Sequence, residues 1–563
     1  MYHHMVQGNE ELDDPRWNEV LRFLPGQLRN NRSSTSLASR AVTIYEDDET
    51  SPLLANGLIP TRRQVSQWTN SMWKRQLALL ILPVAIVLIW CSVPLRTYPD
   101  EPEQGGGGSN STWPWDGFPW IPPHPDTNST TPTSSILSAA AAAVTATAGA
   151  GGSIGLDAAL AGNWSSISTL PKVEPTAPVL INFWWFLWFY YGFYNAVALL
   201  LITKIFSIYS LNWWPKTLGG VTSYIIFWLS TQLMGILVYY FTGLEVYRLT
   251  WVSLTFCTMA IPLFVAFLVI RSENRNVYRH SLTVHQKVFL TSSLESRIPA
   301  SYKRFLWLCV ALAIALSTIV TGELYAAQFI QTSPHTTMEG LIYVYSWVGT
   351  IYILDAITDY IVETRVRSYP LSSIFKLYYF MIYFIFYRNL FVRLRSYEQF
   401  VVIQIASSFW VCIFHPICMS RTVYRALVYV FGVTKTYEEY KRQVGRGLFL
   451  RNLAENATML AFLCWVNILY YGPNASMYSY FQFNDGNIYS HDVTVLASLG
   501  IWVSELISSF INRSICKKYL NHHVTKEALK DFKEYPELIV AFVLVMIHIL
   551  QDMLLALMDL NFA

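Results

Sequence analysis

The sequence predicts an all-α protein, a polytopic membrane bundle of about eleven transmembrane helices, and three observations lead there. First, 53% of the 563 residues are hydrophobic and only 14% are charged, against roughly 25% charged in soluble chains. With a mean hydropathy of +0.31, such a chain lacks the polar residues to clothe a water-facing surface. Second, apolar runs near 20 residues, the length that crosses a hydrocarbon core, recur along the chain. Third, Lys and Arg concentrate in alternate loops, the pattern that orients spans. Net charge is only +3, so no basic domain points to nucleic acid.

Residues 1–75 read as a disordered cytosolic tail with a short helix near Trp17 to Leu24, a serine-rich patch and acidic Glu46 to Glu49. They contain no apolar run for a core or for a signal peptide. Within them, Glu49-Thr-Ser-Pro-Leu53-Leu54 fits an acidic dileucine sorting pattern. A mobile tail can offer Leu53 and Leu54 to a pocket and Glu49 to a basic patch. The partner this implies is a clathrin adaptor, and the address is a vacuole- or lysosome-like membrane, with the plasma membrane as the alternative. Residues 76–95 follow Lys74-Arg75 and read as an uncleaved signal-anchor with a cytosolic N-terminus.

Residues 96–178 form a low-complexity lumenal loop. It has two basic residues, Arg96 and Lys172, against seven acidic ones, and carries sequons at Asn110, Asn128 and Asn163. The Ala/Gly-rich 138–161 is too weakly apolar to insert and reads as a linker. Ten further spans make up 179–563: Val179–Thr203, Gly219–Phe241, Trp251–Ile270, Phe305–Gln328, Gly340–Ile361, Ser372–Val392, Gln399–Met419, Leu448–Tyr471, Val493–Ile511 and Leu538–Met558. Backbone groups in lipid must be satisfied within each segment, so each is a helix. Loops 271–304, 421–446 and 513–535 carry seven, six and six Lys/Arg, whereas 329–339 and 472–490 carry none. The first set is therefore cytosolic and the second lumenal, which makes Asn474 a fourth glycosylation site and puts the C-terminus in the lumen. Lys376, Arg388, Arg393 and Arg395 break the rule. They open the alternative that 371–420 is a re-entrant hairpin, leaving nine full spans.

The seven cysteines all fall in apolar segments or on the cytosolic side, so no disulfide framework or zinc pair is expected. No P-loop, G-x-G-x-x-G, H-E-x-x-H or G-x-S-x-G occurs, and no cofactor or metal is implied. The chain therefore leans away from an enzyme.

The residues that point to function are ionisable groups inside spans, each costly unless paired or hydrated. Asp355, Asp359 and Glu363 are spaced by four and share one helical face. The spacing reads either as a carboxylate ladder carrying a proton or cation from the cytosol, or as a ladder capped by arginines. Arg451 and Glu455 can pair along their helix, while Glu505 sits alone in its span. His548 and Asp552 share a face of the last span, as a proton relay or a hydrogen-bonded pair; Glu323 reads as solvated near a helix end. Phe183 to Tyr194 is densely aromatic and reads as an interfacial belt with helix packing. Transport of a small solute or ion through the bilayer-embedded bundle, using Asp355, Asp359, Glu363, Glu505, His548 and Asp552, is the leading function. A non-catalytic membrane scaffold or cargo chaperone is the alternative, and an intramembrane lipid-acting enzyme comes third.

Overall fold

The computed structural model describes residues 60, 62–97, 180–209, 221–281, 300–331, 337–366, 368–393, 397–432, 435–478, 481 and 491–562. The sorting residues Glu49, Leu53 and Leu54 and the sequons Asn110, Asn128 and Asn163 lie outside them. Contacts divide the chain into two units, 1–97 with 181–563 and 98–180, and the helical bundle belongs to the first.

Fourteen helices are described: α1 Arg62–Asn70, α2 Met72–Ser92, α3 183–209, α4 Val221–Phe241, α5 Arg248–Ser281, α6 Ala300–Gln331, α7 337–366, α8 Tyr369–Arg393, α9 Tyr397–Cys418, α10 Arg421–Phe431, α11 Tyr437–Tyr471, α12 His491–Tyr519, α13 Val524–Glu534 and α14 Glu537–Leu557. The extended pairing among the described residues is limited to isolated bridges of Ile181 with Thr97 and Phe562. Eleven helices are long, one for each run the sequence marks. Nine of them, among the described residues, are long and apolar enough to cross a membrane: α2 to α6, α8, α11, α12 and α14. α7 and α9 complete the eleven; even the shorter, α9, with 22 residues, extends about 33 Å. α8 runs unbroken through Lys376 and Arg388 and is itself one of the nine.

Burial divides the bundle into a centre and a rim. In α14 and α8, 89% and 83% of the apolar window is buried within the protein, against 22% in α4 and 28% in α12. A helix apolar all round is covered either by neighbours or by lipid, and α8 and α14 take the first course. α14 packs on α2, α3 and α8, while α8 also packs on α7 and α11. The aromatic stretch of α3 belongs to this core. Phe183 stacks on Tyr239 at 3.8 Å, and Phe186 meets Trp251 edge-on at 5.0 Å. Only Trp188, Phe189 and Phe193 of its rings face outward.

The two ends are tied differently. Residues 62–70, part of the stretch read as disordered tail, form α1, whose Val65 is fully buried and whose Asn70 accepts from Lys533 of α13 at 3.0 Å. At the opposite end Asn474 is 2% exposed. Its amide nitrogen donates to the Cys91 and Val93 carbonyls at 2.9 and 2.8 Å, and its oxygen accepts from the Leu95 N–H at 2.8 Å. Both amide hydrogens are thus committed to holding the end of α2. The fold gives this nitrogen a structural task at the sequon.

Candidate functional site

The ionisable residues of α7, α8, α11 and α12 line up as a spine. α8 supplies two cations, Lys376 and Arg388, twelve residues or about 18 Å apart. α11 runs beside it with Gln443, Arg446, Arg451 and Glu455. α7 faces them with the i, i+4 series Asp355, Asp359 and Glu363, and α12 brings Glu505.

At the end of the spine Glu363 sits on a π-helical turn, Ile361–Val366. It pairs with Lys435 and accepts from Gln443 at 2.9 Å. One turn inward, Asp359 accepts from Ser372 at 2.7 Å and from the Lys376 ammonium. The same ammonium lies 3.4 Å from Asp355, so two carboxylates share one cation. The aliphatic stem of Lys376 passes over Gly447 of α11, where an added Cβ would lie 3.7 Å from it. The other carboxylate oxygen of Asp355 has no hydrogen-bond partner among the described residues.

Deeper, Arg451 faces Glu455 at 3.6 Å, and Arg388 grips Glu505 through two parallel bonds of 2.7 and 2.5 Å. Both guanidinium groups approach the Phe384 ring, at 5.1 and 5.7 Å, which supplies a face to cations removed from water. Arg388 and Glu505 are 2% and 5% exposed. Arg451 also borders a small cleft whose walls include Tyr352, Tyr383, Ser407 and Trp410.

Outside the spans the spine continues onto α13. Arg446 and Arg442 hold Asp531 at 3.1 and 3.3 Å, and Tyr369 donates to it at 3.2 Å. Burial pushes the Asp531 carboxyl up from its usual range, against the pull of the two arginines. Nearby, His522 is 6% exposed and its imidazole is held below the usual value by burial and by Lys441.

α14 is organised otherwise. His548 and Asp552 do share a face, 3.5 Å apart, at 0% and 2% exposure. Among the described residues, no hydrogen-bond partner reaches either His548 nitrogen, either Asp552 oxygen or the Gln551 amide. His548 stacks on Tyr194 at 5.6 Å. Sequence reasoning misses three members of these sites. Lys376 and Arg388 read there as violations of the loop-charge rule, although their depth inside an apolar run marks them as buried partners. Glu323 reads as solvated, although it lies two turns inside α6.

Comparison with known proteins gives a family and a curated relative. The family model described as SPCC553.12c matches residues 61–114 and 154–558. The "Uncharacterized protein C553.12c" of Schizosaccharomyces pombe is 37% identical over 412 residues, covering 71% of this chain and 78% of that one. No solved structure matches.

Proposed function

The chain belongs to the family described as SPCC553.12c, and from that premise we propose that it is a multi-pass transporter coupling movement of a small solute or ion to proton exchange at Asp355. A charge count carries the reading. Counting the ion pairs deepest in the spans, Asp355, Asp359, Glu455 and Glu505 are four carboxylates and Lys376, Arg388 and Arg451 three cations, while Arg446, paired with Asp531, and Arg513 act from farther off on Asp359 and Glu455. Arg388–Glu505 and Arg451–Glu455 cancel one to one, leaving two carboxylates to one ammonium: a surplus of one negative charge at the triad. A charge unbalanced in low dielectric is costly, and binding one proton or cation removes it. Asp355, the more weakly held partner with one oxygen unengaged, is the group that exchanges. Asp359 and Glu363 extend the route to the surface, which the loop-charge bias identifies as cytosolic. The acidic dileucine and the lumenal sequons support an address on a vacuole- or lysosome-like membrane.

A pH jump applied to the full chain in a solid-supported membrane tests this without knowledge of the solute. Wild type should give a transient charge movement that Asp355→Asn abolishes. Equal currents from the two would overturn the assignment. A non-catalytic scaffold or cargo chaperone is the second reading, favoured by Arg388–Glu505 and Arg451–Glu455, which clamp helices and leave nothing to titrate. The intramembrane enzyme has less support, because His548 is fully buried and Asp552 is 2% exposed.

A further inference from the structure

Asp552 poses a problem that the spine does not. It lies on the most buried helix, 2% exposed, and among the described residues no Lys or Arg pairs with it and no hydrogen bond reaches either oxygen. It lines a narrow cleft, and the other acidic wall of that cleft is Glu323 of α6. The remaining walls are apolar: Ile319, Ile382, Ile385, Phe386 and Ile549 among them. Glu323 is the more accessible of the two, half-buried where Asp552 is sealed. Behind Asp552, one turn along α14, His548 approaches to 3.5 Å with both ring nitrogens unengaged.

An ionised carboxylate without a partner in such surroundings costs several kcal/mol. Evolving an apolar residue there would remove that cost, so the acid needs a ligand that a Leu cannot hold. The pocket has too few oxygens converging on it for a hydrated metal ion, which takes six or more. A proton needs one. From this geometry we propose that Asp552 is a second proton-binding site, loaded through Glu323 across the cleft and backed by His548. It is independent of the triad at Lys376: α8 stands between them, turning Ile382, Ile385 and Phe386 to this cleft and Lys376 to Asp355 and Asp359.

The test uses dicyclohexylcarbodiimide on the full chain in lipid nanodiscs, followed by peptide mapping by mass spectrometry. The reagent enters apolar sites and condenses with a carboxylic acid only while the proton is present. That proton moves to a carbodiimide nitrogen as the carboxyl oxygen adds to its carbon. The Asp552 peptide should carry the label, with a yield that falls as pH is raised. Glu323→Gln should keep the labelling but slow the decline in reactivity when the reagent is added at intervals after a rapid rise in pH. An Asp552 unlabelled at every pH, or labelled equally at all of them, overturns the site. An unchanged rate in Glu323→Gln overturns the entry role. The wild-type profile decides the first point even if a variant does not fold. The Asp355 peptide in the same digest is scored separately, so failure here is distinguishable from failure of the triad.

Discussion

The bundle buries charge in two ways. Along α8 and α11 the deep acids Glu455 and Glu505 each have an arginine counterpart, whereas on α14 Asp552 has no Lys or Arg partner among the described residues and only the His548 imidazole 3.5 Å away. The contrast teaches what each region is built to tolerate. A matched pair compensates much of its own desolvation, and its removal leaves an orphan charge behind. An unmatched acid compensates nothing, so its neutralisation should be harmless to the fold. Stability measurements can therefore tell the regions apart before any solute is known.

The largest effect is expected at Arg388. Arg388→Met strands Glu505 in the core and should cost about 3–5 kcal/mol, seen as loss of the monodisperse peak in detergent. Adding Glu505→Gln should restore most of it. If the double variant is no better than the single, Arg388–Glu505 is not the compensating pair.

A packing change comes next, at the seam dividing the two regions. An added Cβ at Gly322 of α6 would meet the Phe386 ring at 2.5 Å and Trp347 at 2.9 Å. Overpacking of this kind costs about 1–3 kcal/mol, so Gly322→Ala should lower the melting temperature. A variant as stable as wild type would mean that α6 and α8 separate freely. Asn474→Gln should cost a similar amount, about 1–3 kcal/mol, by unmaking bonds to the end of α2. Its gel mobility before glycosidase, and the shift that glycosidase produces, should match wild type. A band shift lost in this variant would restore the glycan that burial argues against.

Several of these features are legible in the sequence and others are not, for one physical reason. Eleven apolar runs become eleven long helices because length and apolarity are local properties. The Arg451–Glu455 pair, four residues apart on one helix, is legible on the same ground. The partner of Asp355 is not, because Lys376 lies on the next helix and only packing brings its ammonium across. Arg388 and Glu505, on α8 and α12, are farther apart still. Charge in a span signals that a partner or ligand exists but does not name it. Asn474 illustrates the converse: a three-residue sequon is readable, while burial against residues 91–95 is a tertiary fact.

The smallest effect is expected from pH at the surface. His522 has its folded-state imidazole held below the usual value, so the unfolded or detached state takes up protons first. The stability it contributes is present above about pH 6.5 and is lost as pH falls below that. Its neighbours Lys441, His523, Glu438 and Glu527 set the field, with Lys441 opposing the added charge. Protection factors across α13, the exchange rates corrected for the intrinsic rate at each pH, should fall between about pH 7 and pH 5.5, and His522→Gln should flatten that response. Protection that is insensitive to pH would place the imidazole in water.

The contrast between the two regions meets its most direct test in paired melts of two conservative variants in nanodiscs at neutral pH. Glu505→Gln leaves Arg388 buried and uncompensated, and should melt well below wild type. Asp552→Asn removes an acid that no Lys or Arg pairs among the described residues, and should melt at or above wild type. The opposite ranking, with Asp552→Asn the more damaged, would mean that α14 hides a structural partner and that its acid is not free to exchange a proton.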